Sequence, residues 1–376
     1  MKTKKFPTLF KKSSKGKIEE WSVTVEKDLF FPCIKVFYGE LGGKKQTKRN
    51  LIKKGLNVGK KNETSKEEQA LKEAEAKWIK QKKKGYVESL EDAKAGKLDN
   101  LIKGGMVSMT ANTYEEGDVL PYPVYVQFKL DGMRCSADNH RKSLWTRQRR
   151  EITSCPHIIE ELKKVMITIN WGKVFHDGEL YLHEYCDDFE KIMSAVRKKE
   201  PTKESAKIEY HIYDMFFVDE PLLSFKERMD RIQSLPDYVA NKIKIVTTYK
   251  VNNEKELMDL KKQADKEGYE GLIIRNPHAP YEHKRTNNLL KFKSWKDAEF
   301  DIVNVNSGKD GAVVFTCKTE AGDTFEATKS GEKKGNQKYL KTSALWVGKK
   351  LCVKYVKMTK KNNVPKHATA LYIRED

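Results

Sequence analysis

The chain has 376 residues, 34% of them charged, and its formal net charge at pH 7 is +20. This length predicts two or three domains rather than one, and the charge indicates a polyanionic partner before any motif is considered. No apolar stretch reaches the roughly 20 residues that cross a bilayer, and the basic start Met1–Phe6 lacks the apolar segment of a secretion signal, so we expect no membrane partner.

The positive charge is concentrated at the two ends of the chain. Residues 1–84 hold 24 Lys and Arg against 10 Asp and Glu, a net of +14, and residues 297–376 hold 15 against 10, a net of +5. The central residues 85–296 therefore carry only +1 of the total of +20, which predicts that the ends bind phosphates while the centre does chemistry. The six cysteines form no CxxC pair, which argues against a zinc site of that spacing and is typical of a reducing compartment. We expect a monomer in the cytosol.

The N-terminal segment predicts short strands followed by one helix. The runs Glu20–Val25 and Ile34–Tyr38 have the composition of strands and are bounded by glycine turns. Ser65 and Glu68 have the spacing of a capping box, apolar residues recur after them at helical intervals, and Gly85 can end the helix.

This segment resembles the WGR domain, a small fold of poly(ADP-ribose) polymerases that binds DNA ends. Trp21, the run Tyr38–Lys44 and the helix that leads to Lys84-Gly85-Tyr86 carry the resemblance. The resemblance implies a DNA-binding domain over residues 1–87. The Arg of the name motif is Glu40 here, however, so the alternative is a structural cap on the catalytic domain.

The rest of the chain predicts an α+β architecture with three further parts. Residues 88–118 predict a short helical linker, and residues 119–296 alternate strands and helices in the pattern of an α+β catalytic domain. From residue 297 to residue 376, five short alternating runs predict a small barrel such as the OB-fold; the runs are Phe300–Val305, Val313–Cys317, Thr324–Ala327, Lys350–Lys357 and Thr369–Ile373.

One short motif, Lys129-Leu130-Asp131-Gly132-Met133-Arg134, carries the chemistry. Val124–Phe128 predicts a strand, so Lys129 lies at a strand end, and Gly132 permits a turn. A period of two predicts Lys129 and Asp131 on one face. A lysine nucleophile must be neutral to attack, and nearby cations and burial lower its pKa. The alternative without a catalytic role is an exposed surface turn that contains Lys129 and Asp131.

Further motifs follow in order along the chain. They are Thr146-Arg147, Phe175–Leu180 with the core His176-Asp177-Gly178-Glu179, Tyr210–Phe217 around Tyr213-Asp214, Glu270–Arg275, Leu289–Lys293, and the ending Pro365…Arg374-Glu375-Asp376. Together with the lysine motif they resemble the covalent nucleotidyltransferases, which are the DNA ligases, RNA ligases and mRNA-capping enzymes. The resemblance covers residues 106–376, and with the N-terminal segment the chain is similar to a compact viral or phage ATP-dependent DNA ligase.

The residues themselves suggest parts of a nucleotide site. Lys291 and Lys293, at i and i+2, point to one side, where they can hold the α-phosphate and depress the pKa of Lys129; alternatively they are an exposed pair on an edge strand. Tyr213 offers a ring for stacking adenine, with a core tyrosine as the alternative. Ile273 would cover the other adenine face, and Gln127 lies where the family senses the adenine amino group through its backbone.

The resemblance implies ATP as cofactor, with Mg²⁺ or Mn²⁺, and nicked double-stranded DNA as partner. Asp131, Glu179 and Glu270 would bind the metal, although each alone would be assigned to solvated surface. Glu179 would also bind the ribose, and Arg134 and Arg147 would contact sugar and nick phosphate. Arg374 would orient pyrophosphate when the barrel closes.

Three other functions stay open on the sequence. An RNA ligase also uses ATP, and a capping guanylyltransferase shares the lysine motif and the OB domain. A DNA-end-binding scaffold with an inactive core is the non-enzymatic alternative, disfavoured because every chemically required side chain is present.

Between Val303 and Val313 only Asn304–Ala312 intervene, so the barrel has no room there for the DNA-encircling latch of some compact viral ligases.

Overall fold

The computed structural model describes residues 3–13, 16–28, 30–57, 59, 61–97, 104–168, 172–233, 241–308, 311–331, 333–359 and 362–374. The chain divides into two compact units, Met1–Gly104 and Gly105–Asp376. Among the described residues, every helix is too short or too polar to span a lipid bilayer.

The first unit is an antiparallel sheet with one long helix packed on it. Its elements are β1 (Lys4–Lys5), β2 (Leu9–Lys12), β3 (Ile18–Asp28), β4 (Phe31–Glu40), β5 (Gln46–Leu51), α1 (Lys66–Lys82) and α2 (Leu90–Lys94). The strand order is β1-β3-β4-β5, and β2 also pairs with β3. Trp21, Val23 and Ile34 of the sheet pack with Ala70 and Ala74 of α1. The small alanines allow the helix to approach the sheet closely.

The start of α1 confirms the predicted capping box. The Ser65 hydroxyl accepts from the Glu68 backbone N–H at 3.1 Å, and the Glu68 carboxylate accepts from the Ser65 N–H at 2.9 Å. Two N–H groups that the helix leaves unpaired are thereby satisfied.

The second unit begins with two sheets. The first sheet has the order β14-β7-β15-β16-β6 and the second β10-β9-β8-β11-β12-β13. Their strands are β6 (Thr110–Thr113), β7 (Val124–Phe128), β8 (Met133–Asp138), β9 (Ser143–Thr146), β10 (Glu151–Ile152), β11 (Val174–Tyr181), β12 (Glu209–Phe217), β13 (Ile243–Ile245), β14 (Thr248–Val251), β15 (Gly271–Arg275) and β16 (Arg285–Lys293). The helices are α3 (Pro156–Thr168), α4 (Phe189–Val196), α5 (Phe225–Gln233) and α6 (Glu254–Lys266).

A closed five-stranded barrel completes the second unit. The strands β17 (Lys296–Ser307), β18 (Val313–Lys318), β19 (Thr324–Lys329), β20 (Lys350–Tyr355) and β21 (Thr369–Ile373) close in the order β17-β18-β19-β21-β20. The five strands predicted for this segment are therefore confirmed, and so is the mixed α+β class. The helix α7 (Lys333–Lys341) between β19 and β20 was not predicted.

The segment predicted as a helical linker is only partly helical. It contains α2, but Thr110–Thr113 forms β6, which pairs in parallel with β16 at the edge of the first sheet. Residues 98–103 of that segment lie outside the described residues.

Candidate active site

A cavity of about 350 Å³ is lined by strands of both sheets in the second unit. Strands β7, β15 and β16 supply one wall, and β8, β11 and β12 supply another. Nine of the side chains predicted for the site line this cavity; they are Gln127, Lys129, Arg134, Arg147, Glu179, Tyr213, Ile273, Lys291 and Lys293. Motifs spread over 167 positions, from 127 to 293, therefore meet in one place.

Lys129 lies where the chain crosses from one sheet to the other. Its N–H donates to the Gly271 carbonyl at 2.8 Å, and its carbonyl accepts from the Glu270 N–H at 3.0 Å. A Cβ on Gly132 would lie 2.4 Å from the Leu180 carbonyl oxygen. Gly271 has a φ of +139°, and its Cβ would lie 2.2 Å from the Phe292 carbonyl oxygen. Both glycines are therefore required where the lysine loop and β15 approach their neighbours.

The Lys129 side chain ends on a carboxylate that it shares with a second lysine. The Nζ of Lys129 contacts Oε2 of Glu270, and the Nζ of Lys293 lies 2.5 Å from Oε1 of the same carboxylate. The Glu270 side chain is only 5% exposed. The two lysines flank one buried charge, which holds both at the cavity wall.

The expectation that neighbouring cations depress the pKa of Lys129 is wrong in this structure. Burial lowers that pKa, but attraction to Glu270 and Glu179 outweighs it, and the net result is a raised pKa. Glu270, which also binds Lys293, is the larger of these two attractions. The lysine is therefore held charged and would have to lose a proton before it could act as a nucleophile.

Glu179 is the carboxylate whose protonation is poised near neutral pH. Burial raises its pKa to about 8, although Lys129 and Arg134 act in the opposite direction. The negative neighbours Glu270 and Asp177 raise it further. A hydroxyl placed beside Glu179 would therefore find a group able to accept or to donate a hydrogen bond.

Arg134 is fixed by a bidentate ion pair. Its Nε lies 3.0 Å from Oδ1 of Asp177 and its Nη2 lies 2.5 Å from Oδ2. The Tyr281 hydroxyl donates to the same Oδ2 at 2.6 Å. The sequence placed Asp177 within a motif but gave it no role, and nothing in the local pattern around Tyr281 indicates this contact.

Both polar atoms of the Gln127 side chain form hydrogen bonds within the protein. Its amide nitrogen donates to the Tyr213 carbonyl at 3.0 Å and to the Thr248 hydroxyl at 2.8 Å. Its amide oxygen accepts from Nε of Arg275 at 2.8 Å. These hydrogen bonds tie the Gln127 side chain to its protein neighbours, and the contact of its backbone with the adenine amino group stays a prediction. Ile273, two residues before Arg275, lines the same cavity.

Several further cationic side chains line the cavity near Arg147. Burial lowers the pKa of Arg147, and repulsion from Arg134 and Arg285 lowers it further. Lys291 has a lowered pKa as well, because of burial and of Lys293. Arg285 lines the cavity but was not predicted, since it lies outside every recognised motif. Such crowded cations favour an anionic ligand.

Asp131 does not line the cavity with Lys129. Its two oxygens each lie 2.8 Å from Nζ of Lys366, and Nζ of Lys357 lies 2.9 Å from Oδ2. Both lysines belong to the C-terminal barrel segment. The predicted alternation fails because β7 ends at Phe128, and the residues from 129 to 132 do not continue as a strand. Together the two lysines hold the pKa of this buried carboxyl below its usual range.

Arg374 also lies away from the cavity. Its Nη1 is 2.9 Å from the Glu299 carboxylate, and both side chains are exposed by more than a third. The neighbouring Glu375 and Asp376 of the same motif lie outside the described residues. In this conformation the structure does not bring Arg374 to Lys129.

The carboxylates predicted to bind a metal are mostly engaged by lysines. Among the described residues, no group of three or more His, Cys, Asp or Glu side chains is placed to hold a metal ion. Asp131 and Glu270 each contact two lysines, and of the three carboxylates only Glu179 lines the cavity. This fits Mg²⁺ of the kind that takes one or two carboxylates with phosphate and water oxygens, and does not fit a cage made by the protein alone.

Comparison with known families and proteins identifies what this site resembles. The ATP dependent DNA ligase domain matches residues 106–293, the segment that supplies the whole cavity wall. A DNA ligase of African swine fever virus is 27% identical over 412 residues, covering 98% of this chain and 94% of the viral protein. A DNA ligase of Haemophilus influenzae is 27% identical over 202 residues, covering 52% of this chain and 68% of the bacterial protein.

Among solved structures, a Lig E DNA ligase described as binding DNA with a minimal scaffold superposes with a TM-score of 0.57 at 25% identity. The match covers 71% of this chain and 98% of the Lig E chain. A second structure, named Pmar-Lig, shares the fold with a TM-score of 0.62 at 18% identity, covering 71% of this chain and 67% of the other.

Proposed function

Because the chain belongs to the family of ATP-dependent DNA ligases, we propose that it seals nicks between a 3′-OH and a 5′-phosphate in duplex DNA through a lysyl-AMP at Lys129. The observation that carries this proposal is the position of Lys129 in the cavity, next to Glu179, Glu270 and the paired Lys291 and Lys293.

In the first step Lys129 Nζ attacks the α-phosphorus of ATP. A P–N bond forms, the bond from the α-phosphorus to the bridging oxygen breaks, and pyrophosphate leaves with that oxygen. The ammonium proton must leave first, because Glu270 and Glu179 keep Lys129 charged before the nucleotide binds. Lys291 and Lys293 would offset the charge of the α-phosphate as it is transferred.

The base and sugar of ATP would be held by the opposite part of the cavity. The ring of Tyr213 would stack on adenine and Ile273 would cover its other face, while the backbone of Gln127 would contact the amino group. Glu179 would hydrogen-bond the ribose, where its poised protonation lets it accept or donate.

In the later steps the AMP would move from Lys129 to the 5′-phosphate of the nick. The 3′-OH would then attack that activated phosphate, forming the P–O bond to the 3′-oxygen and releasing AMP. Arg147 and Arg285 would bind the nick phosphate, because both line the cavity and crowd each other's charge. Arg134, fixed by Asp177, would contact the sugar.

Magnesium or manganese, when bound, would offset the charge that develops on the phosphate oxygens, held by Glu179 and by Asp131 or Glu270 once a lysine partner moves away. A movement is also needed for Arg374, because it is paired with Glu299. We assign this movement of Arg374 to a rotation of the whole barrel, which we take to be an OB-fold, toward the cavity.

We assign a DNA-gripping role to the first unit, a WGR-like domain in this proposal. Its residues 1–84 carry a net charge of +14, and β17 ends at Ser307 while β18 begins at Val313, so only five residues of the sequence are available there for a latch. Deleting this unit should leave lysyl-AMP formation nearly intact, because the cavity is built wholly from residues 110–293. Nick affinity should fall, and its salt dependence should become shallower as fewer phosphates are neutralised.

To distinguish the two roles of the first unit, nick affinity is measured as a function of salt concentration for the full-length and the truncated protein. Folding is checked by thermal melting. An unchanged slope in a well-folded truncation would rule out the grip. Slow self-adenylylation of an unstable truncation would instead favour the structural cap.

The main experiment separates the three enzymatic functions that the sequence left open. Nicked DNA and nicked RNA duplexes are each incubated with the protein and ATP, and self-labelling is compared for α-labelled ATP and GTP. Sealing of the DNA nick with labelling by ATP supports the proposal. Preferred sealing of RNA would indicate an RNA ligase, and labelling by GTP alone would indicate a guanylyltransferase.

A further inference from the structure

The two ends of the first unit's sheet differ in how their cations are paired. At the end where β4 turns into β5, Lys17 lies 2.8 Å from Glu40 and Lys45 lies 2.6 Å from Glu20. These carboxylates neutralise Lys17 and Lys45, which leaves Lys44 as an exposed lysine of this turn. The residues that carry the resemblance to the WGR motif, including Glu40, lie at this end.

The opposite end, where β3 turns into β4, also contains ion pairs, Lys35 with Glu26 and Arg49 with Asp28, but it carries additional lysines. Lys27, Lys53 and Lys54 are exposed there, and among the described residues none of the three has a carboxylate within ion-pair distance. Their proximity follows from the pairing of the chain. Lys27 pairs in register with Pro32, and the Ile52 N–H, next to Lys53, donates to the Pro32 carbonyl at 2.8 Å.

An exposed aromatic side chain lies at the centre of this basic end. Phe30 is 77% exposed, and its carbonyl accepts from Nζ of Lys66 at 3.3 Å. Tight hairpins favour Gly, Asn or Asp between their strands, whereas this chain has Leu29-Phe30. Neither turn chemistry nor the core of the unit therefore explains the phenylalanine.

Two further apolar side chains lie at the same end. Leu51 is 43% exposed and pairs in register with Cys33. Leu56 is 44% exposed, and its N–H donates to the Thr64 hydroxyl at 3.1 Å, which places it near the start of α1 and Lys66. Apolar surface rimmed by cations is the composition that binds nucleic acid through bases and phosphates together.

We propose that this end of the first unit, defined by Phe30 and its surrounding lysines Lys27, Lys53, Lys54 and Lys66, is the surface that contacts duplex DNA beside the nick. The lysines bind backbone phosphates, and the Phe30 ring packs on a base or sugar between them. This inference rests on the proposed DNA-gripping role of the unit. It moves the contact to the end of β4 opposite the WGR-like motif, about 30 Å away along a strand of this length.

The test measures the affinity of the full chain for a labelled nicked duplex by fluorescence anisotropy, without ATP or metal, over a series of salt concentrations. Phe30→Ala should weaken binding about tenfold, as expected for loss of one aromatic contact with a base, and Phe30→Trp should retain it. Lys53→Gln combined with Lys54→Gln should make the slope of log affinity against log salt shallower by about 1–2.

Matched controls lie at the neutralised end. Leu41 is 38% exposed in the turn after β4, and Lys44 is exposed in the same turn, so Leu41→Ala and Lys44→Gln should leave affinity and slope unchanged. Self-adenylylation should be the same for all these variants, because none touches the cavity.

The outcomes distinguish this inference from the proposed role of the unit. If deletion of the first unit weakens nick binding but Phe30→Ala and the double lysine variant bind like the wild type, the unit grips DNA through another surface and the inference is overturned. Equal losses for Leu41→Ala and Phe30→Ala would overturn it as well. If deletion of the first unit leaves nick affinity and its salt dependence unchanged, the proposed DNA-gripping role of the unit is itself wrong.

Discussion

The strongest structural prediction concerns Asp214, a carboxylate with 0% side-chain exposure beneath the cavity. Arg228 binds it through Nε at 2.7 Å and Nη2 at 3.1 Å, and Nη1 of Arg275 lies 2.8 Å from its Oδ2. Burial alone would raise the pKa of Asp214, but the two arginines outweigh it and hold the pKa below its usual range. Arg275 in turn positions the Gln127 side chain.

The substitution Asp214→Asn tests how much this network contributes. The amide keeps one acceptor oxygen but turns its NH₂ toward guanidinium donors, and two buried arginines lose their counter-charge. Removing one partner of a buried ion pair costs about 3–5 kcal/mol. For a domain of this size each kcal/mol lowers the melting temperature by about 2–4 °C, so we expect a fall of roughly 6–20 °C.

The assay is thermal melting at pH 7, with Asp230→Asn as the control. Asp230 pairs with Lys226 on the exposed face of α5, so this second loss of an Asp–cation pair should leave the melting temperature unchanged. Because the folded pKa of Asp214 is lowered, its contribution is present above the unfolded pKa and is lost as the pH falls through the folded value. A folded Asp214→Asn protein that melts within about 2 °C of the wild type at pH 7 would refute the reasoning.

Three further predictions address the site and the barrel. Self-adenylylation should accelerate with rising pH because the pKa of Lys129 is raised, and Glu270→Gln should shift this rise to lower pH by removing a carboxylate that attracts the proton; an unshifted pH profile would contradict the assignment. Lys357→Gln and Lys366→Gln should each destabilise modestly, since Asp131 keeps one cation, but the double variant should lose about 1 kcal/mol or more beyond their sum; melting curves that simply add would argue against a shared partner. Arg374→Ala should slow self-adenylylation more than sealing of a pre-adenylylated nick, and equal losses in the two assays would argue against its role in the first step.

Local patterns predicted the parts of the fold whose signals are local. The capping box at Ser65 and Glu68 set the start of α1, and the alternating runs after residue 297 gave all five barrel strands. The helix α7 escaped notice because Gly335 and its many lysines give it a weak helical pattern. The polar strand β6 escaped because it is a short edge strand that pairs with a distant partner.

The candidate site likewise contains residues that local motifs predicted and contacts that they did not predict. Motif spacing predicted nine of the cavity residues, because their motifs lie at a strand end or on a strand that faces the cavity. It failed for Asp131, whose partner Lys366 is 235 residues away, and for Arg374, which pairs with Glu299. It also failed for the pKa of Lys129, which Glu270 raises from 141 positions away in the chain. Contacts of that kind arise only from packing and leave no periodic signal in the sequence.

The central claim is that Lys129 carries the AMP. After incubation with ATP and magnesium, the protein is digested and its peptides are analysed by mass spectrometry, with Lys129→Ala as the control. We predict one AMP-modified peptide, which contains Lys129, and neither adduct formation nor sealing of a 5′-phosphate nick by the variant. AMP found on a different lysine, or an adduct that survives in Lys129→Ala, would contradict the account.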